Sequence, residues 1–97
     1  MAKREVYSLG QAEQLGLMAL TFLAEDGERL VRFLSLTGTT PADLKAGAGG
    51  PAMLAAVLGH LLEDEPLLLV FASMKEVDPA IIEPAHALLQ KAADDEI

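Results

Sequence analysis

The residues that stop and start helices recur at short intervals along this chain, and they constrain its fold more than any other feature. Between them lie segments rich in leucine and alanine whose apolar residues repeat at helical spacing. The pattern predicts an all-α fold, a compact single-domain array of five or six short helices with no β-sheet. We expect one helical domain over residues 1–97, with an ordered core of about residues 8–92 and frayed termini. The stop and start signals are Asp26-Gly27, Gly38, Thr40-Pro41, Gly49-Gly50-Pro51 and Asp78-Pro79.

The first two helices are predicted from their caps and their apolar faces. Ser8 is placed to cap a helix that runs to about Ala24, and Asp26 is placed to cap the next one. Gly38 then ends the second helix, because glycine adopts the left-handed conformation at little cost. The first helix has a wide apolar face made of Leu9, Ala12, Leu15, Ala19, Phe22 and Leu23.

Residues 36–62 fit two interpretations, a helix-turn-helix DNA-binding motif and an ordinary corner between packed helices. Thr40-Pro41 starts a short helix to about Ala46, and Pro51 starts the next one, which would be the recognition helix. A recognition helix needs polar or basic residues near its start to reach base edges. This one begins with Pro51, Ala52, Met53 and Leu54. We therefore interpret residues 51–62 as a packing helix and keep a nucleic-acid binder over residues 41–62 as an alternative.

The packing helix also carries a stripe of small residues on a second face. Small side chains allow the backbone of a neighbouring helix to approach closely. The stripe is therefore a candidate face for packing within the chain or for a partner. It consists of Ala52, Ala55, Ala56 and Gly59.

The last third of the chain is predicted to be helical, with one irregularity. Residues 66–74 are apolar on nearly all sides, and leucine and alanine outnumber β-branched residues there, so we expect a buried helix at the centre of the core. Asp78-Pro79 starts the final helical region. Pro84 would clash within a continuous helix, which predicts either a kink or a short turn over residues 79–83 followed by a new helix from Glu83 or Pro84.

Charge and composition narrow the functional classes. The chain has 15 acidic and 7 basic residues and a net charge of −8, which disfavours binding to phosphate backbones and anionic lipid. It has no cysteine, which excludes disulfides and thiolate chemistry and fits a reducing compartment. The basic start is not followed by the apolar run of a signal peptide, and no apolar run is long enough to span a bilayer. We expect a cytoplasmic protein that does not associate with membranes.

Most of the chain is similar to a known bacterial family. The segments "ALTFLAEDGERLVRFLSLTG", "PADLK" and "PAMLAAVLGHLLEDE", with the apolar helix that follows, resemble domain-of-unknown-function family 3572. The resemblance covers about Ala12 to Ala72 and leaves Pro84 and the C-terminal segment outside it. It implies a small, all-helical, cytoplasmic protein without an assigned activity, cofactor or catalytic residue.

The best candidate for chemistry is the sequence "HLLEDE". His60 lies three residues before Glu63 and four before Asp64, so the three could share a helix face and hold a metal ion, with His86 as a further weak candidate. The same acids also suit a solvated helix end and the start of the next helix. The "GAGG" stretch lacks the residues of a phosphate-binding loop, and no serine, threonine or lysine has the setting of a nucleophile. We predict no catalytic residue, no cofactor and no enzymatic activity.

Arg29 and Arg32 are the remaining candidates for a small anion site. Their spacing from Glu25 and Glu28 instead predicts two ion pairs along one helix, Glu25–Arg29 and Glu28–Arg32.

Three functions follow from these observations. The favoured one is a non-enzymatic protein–protein interaction or structural module, which binds a helix or a second copy through the small-residue stripe or through any exposed part of residues 67–74. The alternatives are the nucleic-acid binder over residues 41–62 and a metal-dependent protein that uses His60, Glu63 and Asp64.

Overall fold

The computed structural model describes residues 8–47 and 49–95, and most of the termini predicted to fray lie outside these ranges. This part of the chain forms six α-helices and one short 3-10 helix, with no β-strand, which confirms the predicted all-α single domain. The 3-10 helix spans Pro79–Ile81. The α-helices are α1 (Leu9–Ala24), α2 (Gly27–Thr37), α3 (Pro41–Gly47), α4 (Pro51–Leu62), α5 (Glu65–Lys75) and α6 (Ile82–Asp94).

Local capping chemistry fixes the ends of the first two helices. The Ser8 hydroxyl accepts a hydrogen bond from the Gln11 backbone N–H at 3.1 Å. The Asp26 carboxylate accepts one from the Glu28 backbone N–H at 3.0 Å. Gly38 ends α2 with a φ of 74°, in the left-handed region that favours glycine. These bonds satisfy backbone groups that the helices themselves leave unpaired.

The irregularity at Pro84 is resolved by a turn rather than a kink. The 3-10 helix precedes α6, and α6 begins at Ile82, one residue earlier than predicted. Pro84 therefore lies in the first turn of α6, where its missing N–H has no intrahelical partner to lose. The second of the two predicted arrangements is the one observed.

Helices α1, α4 and α6 pack against one another and form the centre of the domain, with α2 and α5 packed on α4. Burial of these apolar residues is the main stabilising contribution to the fold. The largest fully buried side chains are Phe22, Phe33, Phe71, Leu23, Leu54, Leu58, Leu61, Ile82, Leu89 and Val57.

The prediction that the apolar helix of residues 66–74 lies at the centre of the core is wrong. In α5 only Leu68, Phe71 and Ala72 are buried, and the opposite side of the helix is exposed. The central helix is α4, which packs on α1, α2, α3, α5 and α6. The physical reason is side-chain size, since alanine and glycine on α4 let its neighbours approach from several sides.

At Gly16, α1 lies very close to α4. A Cβ atom added to Gly16 would lie 2.8 Å from Leu54 Cβ and 3.3 Å from Leu54 Cγ and Cδ2. Carbon atoms pack best at about 3.5–4.0 Å, so only glycine fits here without a shift of the helices.

None of the helices in the described residues combines the length and the apolarity needed to cross a membrane.

Candidate functional site

The predicted site residues gather in one cleft. The cleft has a volume of about 620 Å³ and lies among α2, α4, the first turn of α5 and α6. His60, Glu63, Asp64 and His86 all line it, although His86 is 26 residues from His60 in the sequence. The other lining residues are Arg32, Leu36, Thr37, Ala55, Ala56, Gly59, Glu65, Pro66 and Gln90.

The small-residue stripe forms part of the floor of this cleft. Ala55, Ala56 and Gly59 line it, whereas Ala52 is exposed and lies outside it. A Cβ atom added to Gly59 would lie 3.2 Å from His86 Nε2. Gly59 therefore lets the His86 ring lie close against the α4 backbone. Part of the stripe is filled from within the chain, by a side chain of α6.

His60 is a buried polar residue with an unusual environment. Its side chain is only 8% exposed, and its ring packs edge-on against Phe33 with the ring centres 5.3 Å apart. Its Nε2 atom makes no hydrogen bond to any described residue. Burial lowers the pKa of the imidazole below its usual 6.5, with Arg32 acting in the same direction and Asp64 and Glu63 opposing. Burial thus favours the neutral form of the imidazole.

The structure does not assemble the predicted metal ligands. Within residues 8–47 and 49–95, no three histidine, aspartate or glutamate side chains come together in a way that could hold a metal ion. The Asp64 carboxylate instead accepts a hydrogen bond from the Leu67 backbone N–H at 3.2 Å and caps α5. Glu65 follows in the first turn of that helix. These acids have the helix-end role that the sequence also allowed.

The helix predicted as an alternative DNA reader is packed against its neighbours along most of its length. Leu54, Ala55, Val57, Leu58, His60 and Leu61 of α4 are buried, and five other helices pack on α4. A recognition helix must project into the major groove with polar side chains. The geometry of residues 41–47 and 49–62 is therefore that of a packed corner.

The predicted ion pairs along α2 do not form in the described structure. Glu25 instead pairs with Lys75 of α5, with the Lys75 Nζ atom 3.2 Å from a Glu25 carboxylate oxygen. Arg29 lies over the Phe22 ring at 4.1 Å from its centre and approaches Asp26 at 3.9 Å. The Glu25–Lys75 pair connects α5 to the end of α1, and the Arg29–Phe22 contact connects α2 to it. Arg32 lines the cleft and makes no ion pair with a described residue.

The outward face of α5 is the second notable surface. It consists of residues spaced by three and four along the helix, and all but Ser73 are apolar. Leu69, Val70 and Met74 are 48%, 42% and 54% exposed. We call this the α5 face, and its members are Pro66, Leu69, Val70, Ser73 and Met74.

Comparison with known proteins identifies a family but no characterised relative. The model of the family described as "Protein of unknown function (DUF3572)" matches residues 10–92. The chain belongs to the DUF3572 family. The match includes Pro84 and most of α6, so the resemblance extends further than the 12–72 range expected from the sequence. No curated protein and no solved structure matches this DUF3572 chain.

Proposed function

We propose that the protein is a non-enzymatic interaction module of the cytoplasm, and that it binds an amphipathic helix of a partner protein on the α5 face. The observation that carries this proposal is the exposure of Leu69, Val70 and Met74 side by side on one helix. Apolar residues at this spacing are the usual docking surface for a partner helix. The absence of cysteine fits the reducing environment of the cytoplasm.

The free energy available from the α5 face is modest. Fully burying a leucine, valine or methionine side chain contributes about 1.5–3 kcal/mol, and these three side chains are already about half buried. Covering them therefore contributes roughly 3–4 kcal/mol before the cost of association. A stable complex needs further contacts around the face, which gives the surroundings of α5 a role in choosing the partner.

Charge favours a partner with basic residues over a second copy of the chain. Glu65 lies at the start of α5 and Glu76 directly follows its end. If two α5 helices packed antiparallel, Glu65 of one would meet Glu76 of the other, and like charges at such positions are unfavourable. Both copies would also carry a net charge of −8. A helix with lysine or arginine at its ends avoids both penalties.

The test compares two double substitutions, each of which replaces two exposed apolar side chains by polar ones. Leu69→Gln/Met74→Gln removes the α5 face, and Leu17→Gln/Val31→Thr removes exposed apolar residues of α1 and α2. We expect the control to retain a partner captured by the wild type and the α5 variant to lose it. The captured protein is then mapped by peptide arrays, in which the binding segment should be an amphipathic helix with basic residues.

Two results would contradict the proposal. The first is capture by the α5 variant that equals capture by the wild type. The second is a wild-type dimer in light scattering that the α5 substitutions dissociate, because that result would assign the face to a second copy.

A further inference from the structure

Met74 is the most exposed methionine among the described residues, and it belongs to the α5 face. Its side chain is 54% exposed, against 39% for Met18, and Met53 is only partly exposed. The chain has no cysteine, so its four methionines carry its only sulfur atoms. We propose that Met74 is a site of reversible oxidation to methionine sulfoxide, which Arg29 holds in place and which prevents docking on the α5 face. This inference rests on the proposed function, because it gives that docking surface a means of regulation.

The exposure of Met74 directs a small oxidant such as hydrogen peroxide to its sulfur. A lone pair of the sulfur attacks one peroxide oxygen, so that an S–O bond forms as the O–O bond breaks. The other oxygen leaves as hydroxide, takes up the proton that the transferred oxygen carried, and is released as water. Met74 loses two electrons in this step, and hydrogen peroxide gains them.

The Arg29 guanidinium lies beside this sulfur and is held there by Phe22. The Arg29 Nη2 atom is 4.0 Å from Met74 Sδ. Its Nη1 atom donates a hydrogen bond to the Phe22 backbone oxygen at 3.3 Å, and the guanidinium lies over the Phe22 ring. A thioether is a weak acceptor, whereas a sulfoxide oxygen is strongly polar and suits an ionised donor. The added oxygen therefore meets a donor that is already in position.

Oxidation changes the surface that a partner helix has to cover. In the reduced form, the partner packs on a flexible apolar side chain beside Val70. In the oxidised form, it would cover a polar oxygen and the Arg29 guanidinium bonded to it, and removing polar groups from water is unfavourable. The partner also loses its apolar contact with Met74. We expect binding to weaken by about tenfold.

The oxidation of Met74 can be reversed because the sulfoxide keeps the carbon skeleton of methionine. A methionine sulfoxide reductase transfers two electrons from a thiol reductant to the sulfoxide, and with two protons its oxygen leaves as water. The oxidant and the reductant both come from outside the chain, so the state of Met74 follows their balance.

The first experiment follows the oxidation of the full chain by hydrogen peroxide, with mass spectrometry of peptides to assign the oxygen to each methionine. We expect Met74 to be oxidised before Met18 and Met53. NMR then compares the guanidinium resonances of Arg29 and Arg32, which both lie in α2, before and after oxidation. The Arg29 resonances should shift and those of Arg32 should not. A sulfoxide reductase with dithiothreitol should restore the first spectrum.

The second experiment measures capture of the partner by chain that was treated with peroxide and then freed of it. The affinity of the wild type should fall by about tenfold, and the reductase should restore it. Met18→Leu removes the other well-exposed described methionine and should respond to peroxide as the wild type does. Met74→Leu should show the same capture before and after treatment, whatever its level, because leucine is not oxidised.

The inference is overturned if Met18 or Met53 is oxidised before Met74, if the Arg29 resonances stay in place, or if peroxide leaves capture by the wild type unchanged. Its failure is distinguishable from failure of the proposed function. If Leu69→Gln/Met74→Gln abolishes capture and peroxide does not, only the regulation is refuted. If the double substitution leaves capture intact, the docking on α5 is refuted, and with it the regulatory role of Met74.

Discussion

Replacing Gly16 by alanine tests the close packing of α1 on α4, one of the three helix pairs that form the centre of the domain. The added Cβ would lie 2.8 Å from Leu54 Cβ, about 0.7–1.2 Å closer than carbon atoms pack. Leu54 is fully buried, and its Cβ is fixed to the α4 backbone, so a rotation of the side chain does not relieve the contact. The helices have to separate instead.

The expected cost follows from two opposing contributions. Overpacking a core by one methyl group costs about 1–3 kcal/mol, whereas alanine is better than glycine in a helix by up to about 1 kcal/mol. We therefore expect Gly16→Ala to lower the free energy of unfolding by roughly 1–2 kcal/mol. For a domain of this size, each kcal/mol lowers the melting temperature by about 4–8 °C.

Urea denaturation followed by circular dichroism measures this change, with Gly27→Ala as the control. A Cβ at Gly27, the first residue of α2, would have no neighbour within 4 Å. The control should be neutral or slightly stabilising. If Gly16→Ala is as stable as Gly27→Ala, the close approach of α1 and α4 is refuted.

A second substitution tests which atom is responsible. Leu54→Ala removes Cγ and Cδ2 but keeps the Cβ that makes the 2.8 Å contact. The cost of Gly16→Ala should therefore be similar in the Leu54→Ala background and in the wild type. If the cost disappears in that background, the flexible end of Leu54 and not the helix spacing sets the constraint.

Two further predictions concern the cleft. Burial lowers the pKa of His60, so the unfolded chain binds a proton more readily, and stability contributed by the neutral ring should be lost as pH falls from about 6.5 towards the folded-state pKa. Urea denaturation at pH ~7.5 and ~5.5 should show a larger loss for the wild type than for His60→Gln, and equal losses would contradict this reasoning. Asp64→Ala removes the cap of α5 and should lower the free energy of unfolding by about 1 kcal/mol. Asp64→Asn can still accept a hydrogen bond from the Leu67 backbone N–H and should lower it by less. Thermal unfolding measures both variants, and equal losses of stability would show that the cap contributes nothing.

Helix boundaries could be predicted from the sequence because the signals are local. Ser8, Asp26 and Asp64 each accept a hydrogen bond from a backbone N–H two or three residues away. Gly38 supplies a positive φ at the end of α2. Neither kind of signal depends on where the helix packs, so sequence spacing was sufficient for the ends of α1 and α2.

Contacts between helices could not be predicted in the same way. The Glu25–Arg29 pair had the right spacing, yet Glu25 pairs with Lys75, 50 residues away, and Arg29 stacks on Phe22. Exposed ion pairs within a helix contribute only a few tenths of a kcal/mol, so tertiary contacts readily replace them. For the cleft, the sequence identified His60, Glu63 and Asp64, with His86 as a weak candidate, but not that Arg32 lines the same space.

The difference between α4 and α5 explains both the error about the central helix and the proposed function. Both helices are apolar on nearly all sides, so periodicity cannot tell which of them lies at the centre. Side-chain size distinguishes them. Ala55 and Gly59 on α4 permit neighbouring helices to approach closely, and at Gly59 the His86 side chain lies directly against α4. Large side chains on both sides of α5 keep it at the edge, where Leu69 and Met74 stay exposed. Leucine and methionine are flexible and suit a surface that adapts to a partner, whereas the small residues of α4 suit packing that is fixed once the domain folds.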